Sequence, residues 1–316
     1  MTLLAPLFRV MSPGGVGARL SVLIFHRVLP EPDPLFPDEM HARRFDKMCG
    51  WLASWFNVLP LDEAVLDLKK GTLPPRVACI TFDDGYADNF HVALPILQRH
   101  GLRATFFIAT GFLNGGRMWN DTIIESIRQS KAPVLDLSSL GLGQHCIGSV
   151  DEKKTAIASV IGQVKYRLSE ERITITERLA HLAKVRPPED LMMTSHEVKA
   201  MRLAGMQIGA HTVSHPILAR LTDEQARQEI SGSKNFLERL LEERIGLFAY
   251  PNGKPDEDYK PQTVDVVRSM DFDAAVSTQW GTSRKADDMF QIRRFTPWDK
   301  TRSRFGIRML ANLRNV

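Results

Sequence analysis

A parallel α/β barrel is the fold this sequence predicts, on three observations. Seven compact apolar runs recur along the chain, at residues 22–25, 77–82, 104–109, 206–210, 247–250, 274–278 and 291–295. Their all-apolar character suits strands buried on both faces. Helical patterns lie between several of them, and repeated strand–helix units call for a parallel sheet. Seven strands favour a closed sheet, although periodicity alone leaves an open one standing.

Punctuation supports the elements in order. The pattern at 87–100 reads as a helix stopped by Gly101 at its C′ position. Thr194 with Glu197, and Thr222 with Gln225, have the spacing of capping boxes at two helix starts. The stretch from about 112 to 190 breaks the rhythm: it is rich in polar helix formers, at 152–168 and 170–184, and lacks a strong buried strand. It is expected to be a mostly helical insertion over one end of a single domain spanning 1–316. A basic amphipathic helix at about 301–316 completes that domain, with Phe305, Met309 and Leu313 along one stripe.

Composition bounds the function. With 316 residues, 43% hydrophobic and 25% charged, the chain is long enough to bury a core without disulfides or a structural metal. Cys49, Cys79 and Cys146 are far apart and form no CxxC pair, so neither a disulfide framework nor a thiolate zinc site is indicated. No run is long enough to cross a bilayer, and Pro6, Arg9 and Pro13 interrupt the mildly apolar start. A cytoplasmic protein is expected, peripheral to the inner membrane if the basic helix touches anionic lipid. Residues 291–316 carry seven basic residues against one acid, +6 of a net +4, which leaves the remainder at −2. Packing of the Phe305 stripe on the barrel competes with membrane docking as the role of that helix. No nucleic-acid-binding module accompanies the basic residues.

Two motifs carry chemistry. Thr81-Phe82-Asp83-Asp84-Gly85 follows an apolar run directly, which puts two carboxylates at a strand's C-terminal end, where barrels keep their active sites. One carboxylate can bind a cation while the other takes a proton from water. An Asp-Gly turn is the plainer alternative. His211-Thr212-Val213-Ser214-His215 also follows a strand, and histidines four apart on a helical turn can face one ion. Two histidines and one aspartate leave coordination positions open, which suits catalytic zinc and is also accepted by cobalt, nickel and iron(II).

These motifs resemble those of the polysaccharide deacetylases, the NodB-homology group of carbohydrate esterase family 4. Phe248-Ala249-Tyr250-Pro251-Asn252-Gly253 is similar to that family's third, strand-end motif. The resemblance implies a distorted (β/α)7 barrel in which Asp84, His211 and His215 hold a divalent metal, zinc before the others, with Asp83 as general base. It implies substrate and oxyanion contacts at Tyr250, Pro251 and Asn252. Two features depart from the pattern. Ala249 stands where many members have an arginine that orients the base, and no histidine follows His215 to serve as general acid. A circularly shifted subgroup, with its histidine on the first strand, would supply His26 as that acid. Arg294 is the candidate to orient the base, against an ordinary salt bridge. Trp280 and Trp298, near strand ends, are candidates to stack on a sugar, with core packing as the alternative.

The expected reaction is hydrolysis of N-acetyl or O-acetyl groups on an acetylated amino sugar, a polysaccharide or a lipid-linked glycan. Deformylation or deacylation of a lipid-linked amino sugar is a rival. A catalytically inactive carbohydrate-binding scaffold is another.

Overall fold

The computed structural model describes residues 4–167 and 169–315; residues 1–3, Leu168 of the expected helix 152–168, and Val316 of the tail lie outside them. Its strands are β1 (Ser21–Phe25), β2 (Asn57–Val58), β3 (Val77–Phe82), β4 (Thr105–Ile108), β5 (Val134–Asp136), β6 (Gln144–Cys146), β7 (Gln207–Ala210), β8 (Leu247–Ala249) and β9 (Ala274–Val276). The main sheet is parallel throughout and runs β1-β3-β4-β7-β8-β9, with β2 against the start of β3. Helices follow the strands, and the sheet curls into a distorted (β/α) barrel.

Residues 291–295 form no extended strand. They make single parallel bridges instead, Ile292 to Val276 of β9 and Phe295 to Leu23 of β1. The segment passes from the last strand to the first within four residues, so neither pairing grows long. It thereby joins the two ends of the sheet.

Alternation along each strand divides the core in two. Val22, Val77, Cys79, Phe107, Leu247, Ala249, Ala274, Val276 and Ile292 pack together inside the curl. Their sequence neighbours Leu23, Ala78, Ile80, Phe106, Phe248, Ala275 and Phe295 join the helices in a second, larger cluster. Both faces are buried, which explains the uninterrupted apolar runs.

Both capping boxes form, at Thr194 with Glu197 and at Thr222 with Gln225. The helix expected at 87–100 forms over 87–99, with a π turn set into it. Residues 87–88 are α-helical, Asn89–Ala93 is a π turn closed by the Leu94 N–H on the Asn89 carbonyl, and Leu94–Arg99 is α-helical again. Pro95 has no N–H to give to the preceding turn, and a wider turn is one way to absorb that loss.

Residues Pro32–Pro37 and Asn114–Met192 form a compact unit apart from the rest of the chain. Its helices Trp119–Gln129, Val150–Val164 and Ser169–Leu182 surround Ile123, Ile127, Val160 and Leu179. It also holds the antiparallel pair β5–β6, which was not anticipated. Most residues of that pair are exposed, so no apolar alternation betrayed it.

The C-terminal helix, Arg302–Arg314, is capped by Thr301 and buries Phe305, Met309 and Leu313 completely in the barrel's outer cluster. The apolar stripe is therefore taken up by the protein, and Ile307, 63% exposed, is the large apolar side chain the helix leaves outside. Arg302 lies over the Trp55 ring, and Arg304 and Arg308 pair with buried Asp299. No helix among the described residues is long and apolar enough to cross a membrane. Phe305→Ala should lower the unfolding free energy by about 3–5 kcal/mol in urea titrations. A loss no greater than the ~0.5 kcal/mol typical of a surface change would show that the stripe does not anchor the helix.

Candidate active site

The site is built on three loops, at the C-terminal ends of β3, β7 and β8. Asp83 keeps the alternation of β3, so its carboxylate follows Cys79 and Thr81 to the inside of the curl. Arg294 keeps the alternation of Ile292 and arrives at the same place. The two make a bidentate ion pair, Nη1 to Oδ1 and Nη2 to Oδ2, both at 2.7 Å and both almost fully buried. Arg294 Nε donates to the Ser277 carbonyl at 2.8 Å, which fixes the plane of the fork. Burial by itself would raise the Asp83 carboxyl, but Arg294 and then His211 outweigh it and hold it below the usual carboxylate range.

Asp84 leaves the strand pattern. Its φ is 76°, followed by Gly85 at 91°, and this left-handed turn swings its carboxylate away from that of Asp83. Gly85 is required here: a Cβ would lie in that strained conformation and 3.3 Å from Ile108. Asp84 Oδ1 sits 3.4 Å from His211 Nε2 and 3.5 Å from His215 Nε2. It is buried and accepts no hydrogen bond among the described residues. One oxygen of Asp84 and one nitrogen of each histidine all lie within 4.8 Å of one another. A buried, orphaned carboxylate oxygen facing two imidazole nitrogens fits a divalent cation of the borderline class.

The histidine loop is held from three sides. His211 Nδ1 lies 2.8 Å from the Ala249 carbonyl, so Nδ1 carries the proton and Nε2 faces Asp84. The Thr212 hydroxyl accepts from the His215 N–H at 3.1 Å. Glu229, on the helix Asp223–Leu241, accepts from the N–H groups of Val213 and Ser214 at 2.9 and 2.8 Å and from the Ser214 hydroxyl at 2.6 Å. Thr212 and His215 both have positive φ, a strain such bonds sustain. Burial pushes His215 down to about 4, which leaves it neutral and its lone pair free. Burial likewise opposes protonation of His211, but Asp84 overrides it and raises the group. Glu229 was missed in the sequence. Its one signal is an acid on the helix face shared by Ala226, Ile230 and Ser233, all buried.

The remaining candidates divide. His26 follows β1, where Phe25 pairs with Phe82, and its side chain is exposed. It is near enough for its charge to act on Asp83, Asp84 and His215. Pro251 is buried, Asn252 is half-buried, and Asn252 and Gly253 are left-handed in succession. Tyr250 is in the core, stacked on Tyr259 at 3.9 Å, and burial raises its hydroxyl. Its side chain therefore offers nothing to a substrate, and the motif's surface lies at Asn252. Trp280 and Trp298 are 44% and 52% exposed, so neither is a core residue, and Arg308 already covers the Trp298 ring at 3.7 Å.

Comparison with known proteins bears on this geometry. The family model described as polysaccharide deacetylase matches residues 70–133 and 150–275, more than half of the chain. The chain belongs to the polysaccharide deacetylase family. Bacillus subtilis (strain 168) YxkH is 22% identical over 279 residues, covering 88% of this deacetylase and 71% of YxkH. Two solved structures share its fold. The Streptococcus pyogenes deacetylase PplD is 18% identical with a TM-score of 0.62, over 94% of this chain and 98% of that one. IcaB from Ammonifex degensii is 18% identical with a TM-score of 0.61, over 96% and 98%. The protein is thus a hydrolase of the polysaccharide deacetylase class, and an acetylated sugar or polysaccharide is its class of substrate.

Removing Arg294 should expose the cost of an unpaired buried carboxylate. Arg294→Ala is expected to lose about 3–5 kcal/mol of stability at neutral pH. In the native protein the depressed Asp83 carboxyl contributes stability that is lost as pH falls through its folded value. In the variant, burial without a partner raises that carboxyl, so acid favours the folded form. The gap between the two proteins should therefore narrow toward pH 4 in thermal melts; a gap independent of pH would show that the pair's charge is not what matters.

Proposed function

We propose that the deacetylase hydrolyses N-acetyl groups on a sugar substrate, with Asp83 as general base, His26 as general acid, and Asp84, His211 and His215 as ligands of a divalent metal. The observation that carries this reading is the division of two adjacent carboxylates: Asp83 is locked on Arg294, while Asp84 turns an unbonded oxygen to two histidines. PplD, a neighbour in fold, is described in complex with acetate, the acid such a reaction releases. A bound metal, zinc before cobalt, nickel or iron(II), would polarise the acetyl carbonyl and make water more acidic.

The residues of the chain do the proton transfers. Arg294 keeps Asp83 ionised, so Asp83 can take a proton from the attacking water. The water oxygen bonds to the acetyl carbon. The backbone N–H of Asn252, which no hydrogen bond engages among the described residues, would stabilise the charge on the acetyl oxygen. As the carbon–nitrogen bond breaks, His26 delivers a proton to the leaving nitrogen, and acetate and a free amine result. A carboxylate kept charged by a buried arginine beside the Asp84 cluster supports the enzyme over a binding-only scaffold.

Acetate release from N-acetylglucosamine oligomers tests the reading. It should depend on added zinc, cobalt or nickel after chelation and vanish in Asp83→Asn. His26→Ala should retain cobalt binding, followed by visible absorption, yet turn over about 10²–10⁴-fold more slowly. Release that persists in Asp83→Asn would remove the base, and unchanged turnover in His26→Ala would remove the acid. No release from a metal-loaded protein would redirect the search to lipid-linked amino sugars or to the inactive scaffold.

A further inference from the structure

His26 is an exposed residue between buried neighbours, and packing does not secure its own side chain. Phe25 and Val28 are buried on either side, but His26 itself is exposed, at the point where the chain leaves β1. An exposed imidazole on a strand end has freedom of rotamer and of backbone that a proton donor cannot use. The structure restrains it through the turn that follows Asp83 and Asp84. Asn89, wholly buried, donates from Nδ2 to the His26 carbonyl at 2.9 Å. Asp88, also buried, accepts the Val28 N–H at 3.0 Å through Oδ1 and Arg27 Nε at 2.8 Å through Oδ2. The Arg27 guanidinium lies over the Tyr86 ring, 4.6 Å from its centre. Asn89 Nδ2 also reaches Asp88 Oδ1, at 3.2 Å, so the two straps brace each other.

Thus the chain is bound at the His26 carbonyl and again at the Val28 N–H, immediately after the imidazole, by residues that follow Asp83 and Asp84 within six positions. The π turn opens at Asn89, and a residue there holds a buried amide against a neighbouring strand end rather than continuing an ordinary helix. The Val28 N–H that Asp88 satisfies is buried, and the same bonds tie down the chain beside the exposed His26.

We infer that Asp88 and Asn89 are positioning residues for His26, coupling the general acid on β1 to the base and metal ligand on the β3 turn. The inference rests on the assignment of His26 in the proposed function. Neither residue touches substrate or the reacting atoms.

The test is a double-mutant cycle on acetate release from N-acetylglucosamine oligomers, with cobalt loading and thermal melts as checks on the fold. Asp88→Ala should lower kcat by about 10–100-fold, the cost of a misplaced catalytic group. KM should stay within about twofold and cobalt absorption should not change, since the metal ligands are held by other contacts. Asp88→Asn keeps an acceptor for the Val28 N–H and should recover most of the rate. In a His26→Ala background, Asp88→Ala should cost nothing further. A full additional loss in that background would overturn the inference, as would a higher KM at unchanged kcat. Should Asp88→Ala fail to fold, the same cycle is read with Asn89→Ala, which removes the bond to the His26 carbonyl. His26→Ala alone reports on the reading beneath: if it turns over normally, the acid assignment fails and the inference with it, whereas a slow His26→Ala with an additive cycle sinks the inference only.

Discussion

The ion pair between Asp83 and Arg294 is the constraint around which the site is organised. A charged pair at the inner surface of a curled sheet is tolerable only if every donor and oxygen is matched, because desolvation otherwise exceeds the mutual attraction. Arg294 meets that condition by spending its fork on the carboxylate and its Nε on Ser277. Its position depends in turn on the segment that bridges β9 to β1. The curl of the sheet and the charge state of Asp83 are therefore one problem: a barrel whose ends did not meet would leave that carboxylate buried and unpaired.

From that fixed carboxylate the rest of the site diverges by backbone strain. Asp84, Thr212, His215 and Asn252 are non-glycine residues with positive φ, and they stand on the three motif loops. Left-handed backbone is costly for such residues and persists when surroundings over-determine it. Here the surroundings are identifiable: the Thr212 hydroxyl and Glu229 hold the histidine loop, the Ala249 carbonyl holds His211, and Thr278 bonds the Asn252 carbonyl at 2.8 Å. Side chains from different strands, Asp84 with His211 and His215, are thereby turned to face each other.

The two departures from the family pattern have a common physical reading. An arginine on the third motif would have come from the β8 end; instead Ala249 leaves room there, its carbonyl serves His211, and the guanidinium enters from the closing segment. Likewise no histidine follows His215, and an exposed imidazole, His26, stands just past the end of the first strand. In a ring, the first strand and the last segment are neighbours through Leu23 and Phe295, so a group can be supplied from either end of the sequence.

Local chemistry in the sequence was enough for the strands, the two capping boxes and the motifs, because each rests on spacing within a few residues. Apolar runs buried on both faces, and a threonine three places before an acid or amide, need no distant partner to be recognised. The closing segment was legible as an apolar run but not as a pair of isolated bridges, and the exposed hairpin β5–β6 left no pattern to read. The meeting of Asp83 with Arg294, more than two hundred residues away, was suggested by the family resemblance and is formed by the tertiary structure. Tertiary structure alone enlisted Glu229, Asp88 and Asn89, and it turned Tyr250 into core. The reason is physical: a contact between side chains is set by strand parity, sheet closure and left-handed turns acting together, and no one of these is carried by the residues in contact.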